Sequence, residues 1–327
     1  MTVSSRREFV LSAAMAGAMF GLDGRLAISA PVLRQKTIDP KAGFHRYTIG
    51  EAECIALFDG VWEKAHDPQF FKNATVADTK RALSRAGLRT NFVPIPIAAL
   101  IVKVNNKLVL CDAGGGGQVQ AFNPNSVFVS GKLLPNMRAA GIRPEKIETI
   151  LISHFHPDHI FGLLAPKTDK AVFPNAEIIV PAAEYKWWTD PSLIGRLPEA
   201  RRAQARRIQA VIPTWPNILP VEGEDEVVPG IRFVSAPGHT AGHTALHLSS
   251  GKAELLISGD AFYMPVFGVG HPEWQGAYDQ DGQKAVETRR KLLTRVIGDK
   301  MRVCGTHFPW PGVGRIAKDG KGYAFVL

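Results

Sequence analysis

The sequence predicts an α/β protein in which a mixed β-sandwich is flanked by helices. Apolar, β-rich segments alternate with helical segments, and several apolar segments end in polar residues suited to a functional site at a sheet edge. From residue 41 onward, no Gly-, Ser- or Pro-rich linker divides the chain and no internal repeat occurs. A chain of 327 residues can bury one large core, so we expect one domain.

The predicted strands are short apolar runs rich in β-branched residues. They cover residues 98–104, 107–111, 148–153, 177–180, 231–235, 243–249, 253–258 and 301–304. Asn105 and Asn106 form a two-residue turn signal between the first two runs, which predicts a hairpin. The glycines of residues 114–117 follow this hairpin and predict a loop, because no G-K-[ST] follows to complete a phosphate cradle.

The predicted helices have recognisable ends. They cover residues 130–140, 158–164, 181–188, 198–211 and 285–296. Gly141 ends the first of them and Pro181 begins the third.

Composition and charge are those of an ordinary globular protein. Apolar residues make up 45% of the chain and charged residues 21%, which argues against intrinsic disorder. The formal net charge is +9, but the basic residues are scattered, so we predict no nucleic-acid partner. The densest basic run, residues 201–207, is interpreted as the solvated face of a helix. Cys54, Cys111 and Cys304 stand singly and are predicted to be buried thiols.

Residues 1–30 resemble a twin-arginine signal peptide. Arg6 and Arg7 precede an apolar stretch at residues 10–22, and small residues at 28–30 are typical of a cleavage site. The apolar stretch is shorter than the roughly 20 residues of a membrane-spanning helix. We therefore expect an exported, periplasmic protein without a stable membrane anchor; an uncleaved amphipathic tail is the alternative.

Residues that bind metals stand at four predicted strand ends, on loops that can hold ligands rigidly. They are His154, His156, Asp158 and His159 in the first loop, His239 in the second, Asp260 in the third and His307 in the fourth. Histidine with carboxylate is the usual ligand mixture of hydrolytic zinc sites. A buried cluster of imidazoles and a carboxylate would be costly without a cation. Isolated histidines such as His45, His66 and His271 are interpreted as ordinary core or surface residues.

The H-x-H-x-D-H motif of residues 154–159, followed by a His, an Asp and a His that each end a strand, resembles the metallo-β-lactamase-fold hydrolases. The resemblance covers residues 41–327 and implies an αβ/βα sandwich of two mixed sheets flanked by helices. Residues 31–327 would then form a single metallo-hydrolase domain. The ligand sets that it implies are His154, His156 and His239 for one metal, Asp158, His159 and His307 for the second, and Asp260 as a bridge between both.

The chemistry implied by this resemblance is hydrolysis by a hydroxide that bridges two metal ions. Two ions about 3.5–4 Å apart lower the pKa of a water and polarise the substrate oxygen. Two Zn²⁺ ions are expected, with Mn²⁺, Co²⁺ or Fe²⁺ as alternatives. Asp260 and Asp158 are expected to take part in catalysis.

The substrate class is less sharply indicated. Residues 306–315 and 320–326 resemble the methyl parathion hydrolase branch, which lies close to the N-acyl-homoserine lactonases, whereas residues 122–128 depart from its pattern. We therefore expect cleavage of a lactone or ester, with organophosphate triester hydrolysis as the alternative. A β-lactamase is disfavoured, because Asp260 stands where those enzymes commonly use a cysteine. A non-catalytic metal-binding protein is also disfavoured, because the full ligand set is present.

Aromatic residues near the ligand loops are candidates for a substrate pocket. Trp188, Phe262 and Trp274 are predicted to line it, with core packing as the alternative. Asp112, at the end of a predicted strand, is interpreted as a carboxylate that orients metal ligands. The expected partner is a small-molecule substrate, and the sequence leaves a homodimer open.

Removal of residues 1–30 is expected to leave a folded, active enzyme, because the removed segment contributes no predicted core element. Circular dichroism and hydrolysis of an ester panel by the zinc-loaded protein, compared with the full chain, measure this. Loss of folding on truncation would contradict the signal-peptide interpretation.

Overall fold

Two β-sheets pack face to face, and helices cover both outer faces. This computed structural model describes residues 43–118, 126–320 and 322–327. The predicted sandwich of two mixed sheets flanked by helices is confirmed. The predicted signal peptide lies outside the described residues, so it stays a prediction. No helix in the described part of the chain combines the length and the apolar character needed to cross a membrane.

The first sheet has eight strands and comes from the N-terminal part of the chain. The strands are β1 (Phe44–Ile49), β2 (Ala52–Lys64), β3 (Val93–Val104), β4 (Lys107–Cys111), β5 (Val127–Val129), β6 (Ile147–Leu151), β7 (Glu177–Pro181) and β8 (Ile218–Val221). Their order is β1-β2-β3-β4-β6-β7-β8, with β5 paired to β2. Strands β1 to β4 pair antiparallel, whereas β4, β6, β7 and β8 pair parallel.

The second sheet has seven strands in the order β15-β14-β13-β12-β11-β10-β9. These are β9 (Glu226–Val228), β10 (Ile231–Ser235), β11 (Thr244–Ser250), β12 (Ala253–Ile257), β13 (Arg302–Cys304), β14 (Val313–Asp319) and β15 (Gly322–Val326). Only the β12–β13 pair among these described strands is parallel, and two helices lie between these strands in the chain. Both sheets are therefore mixed.

Eight α-helices lie in the described part of the chain. They are α1 (Val76–Arg85), α2 (Leu133–Ala139), α3 (Pro157–Ile160), α4 (Ala182–Thr189), α5 (Leu193–Arg196), α6 (Glu199–Val211), α7 (Pro265–Gly268) and α8 (Gly282–Gly298). Helices α2, α4 and α6 pack on the first sheet, and α8 packs on the second.

An apolar layer between the sheets joins the two halves of the fold. It contains residues such as Leu100 and Val102 from the first sheet and Phe233 and Leu246 from the second, each no more than 5% exposed. The three cysteines also lie in this layer, buried and unpaired, as the sequence predicted. Burial of apolar surface from both sheets is thus what fixes the strand ends of one sheet beside those of the other.

The predicted glycine loop is held by one buried carboxylate, Asp59, at a bulge in β2. Its Oδ2 atom accepts a hydrogen bond from the backbone N–H of Gly115 at 2.8 Å. Its Oδ1 atom accepts from the N–H groups of Gly131 and Leu133 at 2.9 and 3.0 Å. Burial raises the pKa of Asp59 although these three donors oppose the shift. The loop next to the site therefore depends on a side chain from a distant strand.

Asp59→Asn is expected to lower the free energy of unfolding by about 2–3 kcal/mol, because an amide offers one oxygen to three buried N–H groups. Urea denaturation at neutral pH measures the loss. Asp225→Asn is the control, because Asp225 is exposed. A loss at position 59 below about 0.5 kcal/mol, the usual range of surface substitutions, would contradict the anchoring role.

Candidate metal centre

The structure brings the seven predicted ligand residues together at one edge of the sandwich. The first sheet contributes the loop after β6 and helix α3, and the second contributes the loops after β10, β12 and β13. Parallel strands β6 and β13 deliver their loops at their carboxyl ends, which is where such sheets place functional residues. Residues far apart in sequence meet here because the strands that precede them end at the same edge of the sandwich.

The ligand atoms form two groups, each with all its atoms within 4.8 Å of one another. The first group is His154, His156, His239 and Asp260, and the second is Asp158, His159 and His307. In the first group, Nδ1 of His156 lies 3.0 Å from Nε2 of His154 and 2.9 Å from Nε2 of His239. In the second, Nε2 of His307 lies 3.4 Å from Oδ2 of Asp158.

Asp260 lies between the two groups and contacts both. Its Oδ2 atom is 3.2 Å from Nε2 of His239 and 3.9 Å from Nε2 of His154, both in the first group. The same oxygen is 3.3 Å from Nε2 of His307, and Oδ1 is 3.3 Å from Nε2 of His159, both in the second group. One carboxylate can therefore reach an ion in either group.

The donor set fits divalent cations. Oδ1 of Asp260 and Nε2 of His159 are buried and have no hydrogen-bond partner among the described residues. A buried oxygen and a buried ring nitrogen left in this way would each cost free energy, and a cation between them would satisfy both. Imidazole nitrogen with carboxylate oxygen is a set that suits zinc and other first-row metals.

Asp112 orients two of the imidazoles from behind. Nδ1 of His159 donates to its Oδ2 atom at 2.8 Å. The backbone N–H and the hydroxyl of Ser153 donate to the same carboxylate, each at 2.8 Å, and the Ser153 oxygen in turn lies 3.0 Å from Nδ1 of His154. These contacts turn the Nε2 lone pairs of both rings toward the centre. The sequence interpretation of Asp112 agrees with this geometry.

A buried chain of charges orients His239. Its Nδ1 atom lies 3.0 Å from Oδ1 of Asp279, whose Oδ2 atom is 3.4 Å from Nη2 of Arg289. Arg289 has no exposed surface and is the largest fully buried side chain of the described chain. It donates at 2.8–3.0 Å to the carbonyls of Ala261, Pro272 and Trp274. Four of the five guanidinium N–H groups thus have acceptors, and the side chain fixes Asp279 behind the imidazole.

Glu184 of α4 ties two ligand loops together. Its Oε1 atom accepts from the N–H of Phe155 at 2.9 Å, inside the first ligand loop. Its Oε2 atom accepts from the hydroxyl of Thr240 at 2.7 Å and from the N–H of Gly242 at 3.0 Å, next to His239. Burial raises the pKa of Glu184 while the four donors to it, which include Trp188, lower it. A single side chain therefore fixes the distance between a ligand loop of the first sheet and a ligand loop of the second.

His243 supports the bridging residue from the backbone side. Its Nδ1 atom donates to the carbonyl of Ala236 at 3.0 Å, and its Nε2 atom accepts from the N–H of Asp260 at 3.0 Å. Burial and the neighbouring His239 lower the pKa of His243 to about 3. The ring is therefore neutral at physiological pH and keeps the lone pair that this contact needs.

An open cavity leads to the ligand groups. Ligand residues form its floor, and aromatic or apolar side chains form most of its walls. The wall residues include Trp62, Phe70, Phe71, Ile95, Phe128, Met264, Phe267 and Tyr278. Tyr263 also lines it, at a backbone φ of 25°, and its hydroxyl donates to the carbonyl of Trp274 at 3.3 Å.

The three aromatic residues predicted for the pocket do not border this cavity. Trp188 is 5% exposed, and its Nε1 atom donates to Glu184 at 2.7 Å. Phe262 is fully buried against helix α8, and Trp274 packs behind the cavity wall. These three side chains pack in the apolar core, where an aromatic residue is buried as favourably as in a cavity wall.

Sequence reasoning also missed three positioning residues, Glu184, Asp279 and Arg289. One of them carries a readable signal: Arg289 falls in the buried stripe of α8 between Ala285 and Leu292. A charge inside an apolar stripe requires a buried partner, and Asp279 is that partner. Glu184 has no comparable local signal, since its donors come from distant loops.

The sequence resembles a family of known proteins. The metallo-beta-lactamase superfamily model matches residues 93–307. An N-acyl homoserine lactonase of Bacillus sp is 31% identical over 150 residues, 42% of this chain and 52% of that protein. One from Bacillus cereus is 28% identical over 187 residues, 53% of this chain and 66% of that protein. The chain thus spans about half to two thirds of the length of these relatives.

Solved structures resemble the whole described fold. AidC, a dizinc quorum-quenching lactonase in complex with a product, N-hexnoyl-L-homoserine, superposes with a TM-score of 0.79 at 29% identity, over 87% of this chain and 97% of AidC. The hydrolase AbOPH, of the beta lactamase superfamily, gives 0.78 at 28% identity over the same shares. Because the family model spans more than half of the sequence and both sheets agree with these structures, this protein belongs to the metallo-β-lactamase superfamily.

Proposed function

We propose that this protein is a dinuclear metal-dependent hydrolase that cleaves a lactone or ester, with lactones preferred. One observation carries the proposal: Asp260 contacts both ligand groups at the floor of an aromatic cavity. Lactonase activity in the Bacillus relatives and in AidC supports the substrate class. The dizinc centre of AidC supports Zn²⁺ as the metal.

The ligand residues divide the work of holding the metals. His154, His156 and His239 would hold one ion and Asp158, His159 and His307 the other, with Asp260 shared. Two divalent ions bound there would lower the pKa of water and polarise the scissile carbonyl. Asp112, Asp279 and the carbonyl of Pro96 each hold the ring nitrogen of one imidazole that faces away from the metals, so these three imidazoles cannot rotate out of position.

The cavity walls suit a substrate with an apolar part. The Trp62 ring contacts those of Phe128 and Tyr278, with ring centroids 5.7 and 6.0 Å away, so the three side chains form a continuous aromatic surface. An acyl chain against this surface would displace water from the walls and leave the carbonyl at the metal floor. The walls would thereby orient the substrate and keep bulk water from competing near the reacting carbonyl.

The zinc-loaded protein is expected to hydrolyse N-hexanoyl homoserine lactone with a kcat/KM at least about tenfold above that for methyl paraoxon, a difference of about 1.4 kcal/mol in the barrier. Parallel assays on lactones, aryl esters and phosphotriesters measure this ratio. A higher value for the phosphotriester would favour the organophosphate alternative. No turnover of any substrate by protein that binds two zinc ions would favour a metal-binding protein without catalysis.

Asp260→Ala is expected to remove both metal retention and hydrolysis, because the shared carboxylate contacts both groups. Metal content should fall from two ions to fewer than one. The value of kcat should fall by more than about 100-fold, which is the largest loss typical of substituting a residue that only supports a metal ligand. Mass-spectrometric metal analysis and turnover of the same sample measure this. Asp225→Ala, at an exposed position, is the control. Two bound ions with unchanged turnover in the Asp260 variant would overturn the bridging role.

A further inference from the structure

The cavity has one polar wall that the metal centre does not use. Arg201 and Gln204 of helix α6 both line it, three positions apart on the same side of the helix. Arg201 is the only lysine or arginine among the described residues that border the cavity. A cation therefore stands in a wall that is otherwise mostly aromatic.

The charge of Arg201 has no counter-ion in the described part of the chain. Two other arginines of the same helix are paired, Arg202 with Glu199 and Arg207 with Asp169, whereas Arg206 is exposed and forms no ion pair among the described residues. A partly buried guanidinium without a carboxylate beside it favours the binding of an anion from solution.

The guanidinium is also held in place. Its Nη2 atom donates to the carbonyl of Ala277 at 3.0 Å, and Cζ lies 4.9 Å from the centroid of the Tyr278 ring. Among the described residues, no hydrogen bond uses Nε or Nη1. An arginine fixed by one backbone contact and one ring loses little further freedom on binding, and its remaining donors suit two-pronged recognition of a carboxylate.

We propose that Arg201, with Gln204 beside it, forms a carboxylate-binding subsite for the end of the substrate away from the hydrolysed bond. The preferred ligand is then an acyl compound with an apolar spacer along the aromatic wall and a terminal carboxylate at Arg201. This subsite rests on the proposed function insofar as the same cavity receives the substrate.

Binding without turnover tests the subsite directly. Calorimetric titration of the zinc-loaded protein compares glutarate, adipate and suberate with pentanoate, hexanoate and octanoate. One carboxylate of each acid can occupy the metal floor, so the second carboxylate reports on Arg201. At least one dicarboxylate is expected to bind about tenfold more tightly than the monocarboxylate of equal length, the effect of one charged hydrogen-bond pair.

Arg201→Gln should reduce that preference to less than about twofold and leave monocarboxylate affinity unchanged, which also shows that the variant is folded. Arg201→Lys should retain part of the preference, because it keeps the charge without the planar fork. Arg202→Gln, on the same helix but outside the cavity wall, is the matched control and should bind as the unaltered protein does. An equal affinity within every pair, or a preference that survives Arg201→Gln, overturns the subsite.

Kinetics separate the subsite from the proposed function. Mono-4-nitrophenyl adipate and 4-nitrophenyl hexanoate differ only in the terminal carboxylate, and Arg201→Gln should lower kcat/KM about tenfold for the first alone. Absence of hydrolysis of every lactone and ester by the unaltered protein would defeat the proposed function, while the calorimetric preference would still decide the subsite. An equal loss for both esters would defeat the subsite and leave the hydrolase intact.

Discussion

Five imidazoles and two carboxylates direct their lone pairs into one buried space, and this convergence is the constraint on which the rest of the site depends. Nitrogen and oxygen atoms as close as 2.9–3.3 Å face each other there, and two of them have no partner among the described residues. Such an arrangement is unfavourable without cations, because desolvation of the polar atoms is not repaid. The surrounding structure therefore has to hold the ligands in place by other means.

Buried carboxylates behind the ligands hold them in place. Asp112 fixes His159 and Ser153, Asp279 fixes His239, and Glu184 fixes the backbone of two loops. Each of these carboxylates accepts at least three hydrogen bonds or contacts, so its charge is compensated inside the protein. Removing one partner from such an arrangement is costly, which makes the ligand positions rigid.

The sequence predicted the parts of the fold that local patterns encode. The turn at Asn105 and Asn106 was readable, and both residues adopt positive φ angles of 47° and 64° in the structure. Strand ends that carry ligands were readable for the same reason, since polar residues follow apolar runs directly. Helix α1 was missed although Thr75 and Asp78 form a capping box before it, a signal present in the sequence.

Other features depend on packing between distant segments and could not be read locally. Whether a tryptophan faces the core or the cavity depends on which element covers it, and the indole of Trp188 turns to Glu184 instead. Strands β14 and β15 pair with each other beyond the last predicted strand, in a segment interpreted only by family resemblance. The ligand identities were readable because chemistry restricts residue types, whereas pocket walls accept many apolar side chains.

The contacts of Glu184 have a consequence for how the molecule folds. This residue joins backbone groups 29 positions before it and 58 positions after it, and the ligands themselves come from both sheets. Contacts of such long sequence separation close late, because the entropy of closing long loops has to be overcome first. Neither half of the chain contains a complete ligand set, so high-affinity metal uptake should mark the completed sandwich and should not trap a half-folded chain around an ion.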